Sequence, residues 1–141
     1  MLNKIMERDW LIVTDEEVGE KLNETHNAFL WVVDITKEEL PLPVATFIVP
    51  FEGKSTHLSR FGAHQPAEQV YGNTLYVTWF AGGLRAVDFS NPYQPKEVGY
   101  YVPNPGKDQK VVMSNDVFHD KDGKLYLIDR YDGLEILEPQ I

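Results

Sequence analysis

The groups in this 141-residue chain suited to acid–base or metal chemistry are 22 Asp and Glu side chains and four histidines, His26, His57, His64 and His119. Cysteine is absent, which excludes thiolate nucleophiles, disulfides and Cys-ligated zinc. No H-x-x-x-H pair and no H-E-x-x-H motif occurs. His57 and His64 flank one loop, and with a converging carboxylate they could hold a divalent metal ion. His119 falls late in its segment, away from that loop. There is no G-x-S-x-G elbow and no glycine-rich phosphate cradle running from a strand into a helix. Gly82-Gly83 is better read as a tight turn that needs positive φ.

The other candidates are defined by where they fall in a repeat. Leu75-Tyr76-Val77-Thr78-Trp79-Phe80 aligns with Leu125-Tyr126-Leu127-Ile128-Asp129-Arg130 at an offset of 50 residues. Gly83-Leu84-Arg85-Ala86-Val87-Asp88 aligns with Gly133-Leu134-Glu135-Ile136-Leu137-Glu138 at the same offset. Upstream, Leu11-Ile12-Val13-Thr14-Asp15 matches the first segment at offset 64, and Leu30-Trp31-Val32-Val33-Asp34-Ile35 matches the second at offset 54. The difference is an insertion within residues 16–27. A further pair joins Thr46-Phe47-Ile48-Val49-Pro50 to Gly99-Tyr100-Tyr101-Val102-Pro103.

Each segment is short, rich in β-branched and aromatic residues, and bounded by Gly, Pro, Asn or Asp, so each reads as a strand. Asp88 to Pro95, and Asp34 to Pro43 in the first unit, read as turns in which Asp and Asn bond their own backbone. Residues 64–70 and 1–8 align ahead of the second and first units as further strands, matching Ser114 to Asp120 in the third. Four short antiparallel strands per unit of roughly 50 residues predict an all-β chain of three four-stranded β-propeller blades. The blades fall at about 1–50, 63–103 and 113–141 of a single partial β-propeller domain. A β-sandwich is the alternative, but it does not require strand and turn sequences repeated in register.

The stretch Gly83 to Pro95 followed by Glu97-Val98-Gly99-Tyr100 resembles the LVIVD repeat, as do Arg60 to Pro66 and Ser114 to Val117. The resemblance covers nearly the whole chain and is strongest from Arg60 to Glu138. It implies a β-propeller and little about activity. Three blades fall short of a closed ring, since propellers have about 4–8. Either a second copy completes a six-bladed ring or an upstream half is lost or separately encoded. The homodimer is the expected form, because a two-fold supplies two symmetric joints.

The net charge of −9 disfavours nucleic acid as a partner. No stretch approaches the ~20 apolar residues that span a bilayer, so no membrane association is expected. The first eight residues lack a secretory apolar segment, which makes cytoplasmic localisation the expectation, although a chain trimmed of its leader would begin the same way.

In such a ring the starts of first strands and the ends of second strands share a face near the axis with the long loops, where function concentrates. The ligand-binding candidates there are Asp15, Arg60, His64, Glu68, Trp79, Asn115, Asp116, Asp129 and Arg130. His64, Asp116, Asp15 and Arg130 are expected to line one pocket. A network of turn caps would use the same residue types. Two functions fit: a ligand- or protein-binding scaffold, or an enzyme with a metal or acid/base site at the channel mouth. Fold cannot choose between them.

Overall fold

The computed structural model describes residues 5–16, 28–50 and 60–140. Among these residues there are nine strands and no helix: β1 (Trp10–Thr14), β2 (Leu30–Asp34), β3 (Leu42–Phe47), β4 (Thr74–Thr78), β5 (Leu84–Asp88), β6 (Lys96–Tyr101), β7 (Ser114–His119), β8 (Leu125–Asp129) and β9 (Gly133–Leu137). They form three antiparallel three-stranded sheets, β1-β2-β3, β4-β5-β6 and β7-β8-β9. No described helix is long and apolar enough to cross a membrane.

The repeat seen in the sequence is a repeat of backbone. The β2–β3 register shifts between Val32 and Val33, and the β5–β6 register shifts between Ala86 and Val87, at equivalent positions. The turns correspond too. Asp34 Oδ1 accepts the Thr36 amide at 2.9 Å, and Asp88 Oδ1 accepts the Ser90 amide at 2.9 Å. The next turn closes with Leu40 N–H on the Lys37 carbonyl and, 54 residues later, Gln94 N–H on the Asn91 carbonyl. These are the Asx turns the sequence predicts. Arg8 also pairs with Asp34, and the Thr36 and Arg8 bonds hold the Asp34 carboxyl below its ordinary range.

The first and middle sheets carry three strands where four are expected. In the middle unit, residues 64–70 do run beside β4: Ala67 N–H donates to the Tyr76 carbonyl, and Thr78 N–H to the Gln65 carbonyl. Pro66 has no N–H to continue a ladder, so only an isolated bridge to Val77 forms. In the first unit, residues 5–8 form a turn with Met6 and Glu7 at φ of 56° and 61°, where the alignment predicts a strand.

The sheets stack face to face in chain order. Strand alternation places Leu75, Val77 and Val87 of the middle sheet in one core with Trp10, Leu30 and Val32 of the first. The opposite face, Tyr76, Leu84 and Ala86, packs against Val117, Leu125 and Leu127 of the third. Leu84 and Val87 are buried as their register predicts. Leu134 and Ile136, the counterparts of Leu84 and Ala86, are 59% and 60% exposed, because the outer face of the third sheet meets no further sheet among the described residues.

Candidate functional site

The polar residues that converge do so around one aromatic ring. Phe80 follows the end of β4 with φ of +47°, a left-handed conformation unfavourable for a bulky side chain. Its carbonyl accepts the Gly83 amide at 3.0 Å and the Ser114 amide at 3.2 Å, and its backbone bridges residue 61 on one side and Ser114 on the other. Gly83, at φ of +76°, closes the turn; a β-carbon there would run into the Tyr101 carbonyl. Phe80 is thereby fixed between the middle and third sheets, with its side chain buried.

Three nitrogen-bearing side chains lie on that ring. The Arg60 guanidinium is 4.4 Å from its centroid, the Arg130 guanidinium 5.6 Å, and the His64 imidazole 4.5 Å centroid to centroid. These are cation–π distances for both arginines. Arg60 also donates to Glu16 Oε1 at 2.6 Å, and His64 Nε2 lies 3.7 Å from Glu16 Oε2. The other imidazole nitrogen, Nδ1, is 2.5 Å from the Asn115 carbonyl, which also accepts the Thr78 hydroxyl at 3.0 Å. Arg130 Nε donates to Asn115 Oδ1 at 2.5 Å, and Arg130 has no carboxylate partner among the described residues.

The backbone explains this convergence. His64 N–H donates to the Thr78 carbonyl and Ala81 N–H to the Arg60 carbonyl, which lays residues 60–64 along the end of β4. A register shift between Ser114 and Asp116 marks Asn115 as a bulge, the kind of irregularity that re-aims a side chain. Glu16, Phe80 and Arg130 are equivalent positions in the three units, so the stack itself brings them to one end.

Of the sequence candidates, Arg60, His64, Asn115 and Arg130 are therefore brought together. The others are placed elsewhere. Trp79 is fully buried in the core beside Phe47, with its indole N–H unpartnered among the described residues. Asp129 is buried as a turn cap, accepting the Met113 amide at 2.7 Å and the Tyr131 amide at 2.9 Å. Asp116 stands past the bulge on the outer face beside Ile128, bonded to the Val117 amide. Glu68 lines a separate cleft of about 140 Å³ with Gln65 and Ile12. Asp15 is exposed one residue before Glu16, whose side chain enters the cluster. His57 and His26 lie outside the described residues, and no three His, Asp or Glu side chains among the described ones are grouped to hold a metal.

Phe80 and Glu16 are the members missing from that candidate set. Their signal was present: offsets of 64 and 50 make them the counterparts of Arg130. His119, in contrast, is buried edge-on between Tyr71 and Tyr76, at 4.8 and 4.9 Å, and that burial pushes its pKa down. It serves the packing of the middle sheet on the third.

No curated protein and no solved structure matches the chain. The stretch from just before β4 to just after β6 does match a known repeat: residues 69–102 fit the family model of the LVIVD repeat. Residues 69–102 thus match one LVIVD repeat, and the same turns and register shift recur in the first unit.

Proposed function

We propose that this chain is a ligand-binding β-propeller scaffold, and that the Phe80 cluster receives a small anionic group such as a carboxylate or a phosphate. The observation that carries the reading is Arg130. Its guanidinium lies 5.6 Å from the centroid of the buried Phe80 ring, is bonded among the described residues to a neutral amide oxygen, and stands exposed beside Arg60 and His64. A guanidinium offers a planar fork of donors that matches carboxylate and phosphate oxygens. In a chain of net charge −9, Glu16 pairs with Arg60 on this ring, and Arg130 beside them has no carboxylate partner among the described residues. That arrangement favours anions there while the rest of the surface repels them.

Calorimetric titration with inorganic phosphate and with citrate, at constant ionic strength, tests the reading and separates the two oxyanion classes. Saturable binding of one of them by the wild type, weakened at least tenfold in Arg130→Gln, is expected. Heats no larger than those of matched chloride, or equal binding by the variant, would overturn it. The enzymatic alternative rests on the His64–Glu16 pair at 3.7 Å, which has the residue types of an acid/base couple. Stoichiometric metal in the purified protein would favour that alternative.

A further inference from the structure

Each joint between sheets buries one defined pair of faces, and the pair is the same at both joints. At the joint of the first and middle sheets, Ile12, Leu30 and Val32 meet Leu75, Val77 and Val87. At the joint of the middle and third sheets, Tyr76, Leu84 and Ala86 meet Val117, Leu125 and Leu127. Equivalent positions do equivalent work: Leu30 and Val32 correspond to Leu84 and Ala86, and Leu75 and Val77 to Leu125 and Leu127.

One half of this pair is left open at each end of the stack. The counterparts of Tyr76, Leu84 and Ala86 on the third sheet are Tyr126, Leu134 and Ile136, with Ile128 between them. Leu84 and Ala86 are 3% and 5% exposed, while Leu134 and Ile136 are about 60% exposed. The counterparts of Leu75, Val77 and Val87 on the first sheet are Leu11, Val13 and Val33, with Trp31 opposite Val13. Leu11, Val13 and Trp31 are also exposed. The chain therefore presents both halves of its own internal joint, one at each end.

We propose that the occupant of each open face is a second copy of this chain: the outer face of the third sheet in one copy docks on the outer face of the first sheet in the other. The contact is head-to-tail, so it closes only if the rotation per copy allows. On the propeller reading proposed above, two copies of three sheets make six, a number within the about 4–8 blades of closed rings. Both joints of that ring are the same contact, and each repeats the packing already present twice within the chain.

The test is the molar mass in solution by light scattering. Wild type should run at twice 16.2 kDa. Ile136→Lys and Val13→Lys, on opposite ends, should each give a folded monomer, because both residues are exposed within the chain and neither supports its core. Leu40→Lys, an equally exposed apolar residue in the turn before β3, should leave the dimer intact. Mixing the two interface variants should regenerate a dimer, since one of the two joints then pairs unaltered faces. A wild-type monomer, or a mass above two copies, would overturn the proposal. Dissociation by only one of the two variants would mean a like-to-like contact and would overturn it equally. None of these residues is among the side chains on the Phe80 ring, so anion binding and assembly are read separately.

Discussion

Leu84→Ala probes the joint on which the stacked reading depends. Leu84 lies in β5 on the face toward the third sheet, 3% exposed, with Tyr76 and Ala86 beside it and Leu125 and Leu127 opposite. The substitution removes three carbons, a loss of about 2 kcal/mol at roughly 0.8 kcal/mol per buried methylene. An enclosed void would add to that, up to the ~5 kcal/mol seen for core leucines. Leu84, however, lines an open cleft of about 410 Å³ between β6 and the end of β9, bordered by Val98 and Leu137. Solvent and neighbouring side chains can enter the space, which limits the cavity penalty and places the expected cost at about 2–3 kcal/mol. With a urea dependence of about 1–3 kcal/mol per molar for a small domain, the midpoint should fall by roughly 0.7–3 M with an unchanged slope. Protein concentration is held fixed, because an oligomer's stability depends on it. A midpoint equal to wild type would show that the middle and third sheets do not pack through this face in solution.

Other expectations follow from individual side chains. Burial lowers the pKa of His119, so the unfolded chain takes up the proton first as pH falls through about 6.5. The stability tied to the neutral imidazole is thus complete above that pH and is lost between it and the lower folded pKa. His119→Phe should flatten this limb in urea midpoints measured from pH 7 to 5, and an unchanged limb would refute the assignment. Asp129→Ala strips the acceptor from the Met113 and Tyr131 amides and should cost about 1–3 kcal/mol by thermal denaturation; a neutral result would mean the cap is dispensable. Gly83→Ala forces a β-carbon into a left-handed turn against the Tyr101 carbonyl and should destabilise by more than about 2 kcal/mol. Wild-type stability there would show that the turn relaxes freely.

The stack was legible in the sequence because packing repeats what composition repeats. Leu30, Leu84 and Leu134 share an offset series, and the Asp34 and Asp88 turns carry their mechanism in their residue types. The first strands of the units were less legible. Alignment places residues 5–8 and 64–70 as strands, yet Pro66 cannot donate and Met6-Glu7 turn through positive φ, and both are local backbone effects that an offset does not detect. At the site the difference is one of parity. The candidates Asp15, Trp79 and Asp129 occupy equivalent positions, whereas the next position, Glu16, Phe80 and Arg130, is the one that converges. A shift of one residue exchanges the faces of a strand, and at Phe80 the chain has already left β4 through a left-handed step.

That one-residue step also separates structural from chemical demand. Core positions keep their type from unit to unit: Leu75 and Leu125, Val77 and Leu127, Leu30 and Leu84 are all apolar, as the same joint requires. The converging positions change class completely, to a carboxylate, an aromatic ring and a guanidinium. Packing alone gives no reason for such divergence at equivalent places in a regular stack. Nor does it explain a phenylalanine held at positive φ, a conformation that costs of order 1–3 kcal/mol and persists only where the surroundings over-determine it. The surroundings here are two amide bonds to its carbonyl and three side chains on its ring. They hold Phe80 as a platform on which Arg60 and Arg130, drawn from different units, present their donors together. A uniform repeat would place three like groups at this end; the strain and the change of class set Glu16, Phe80 and Arg130 apart from the core positions and are what the proposed anion site accounts for.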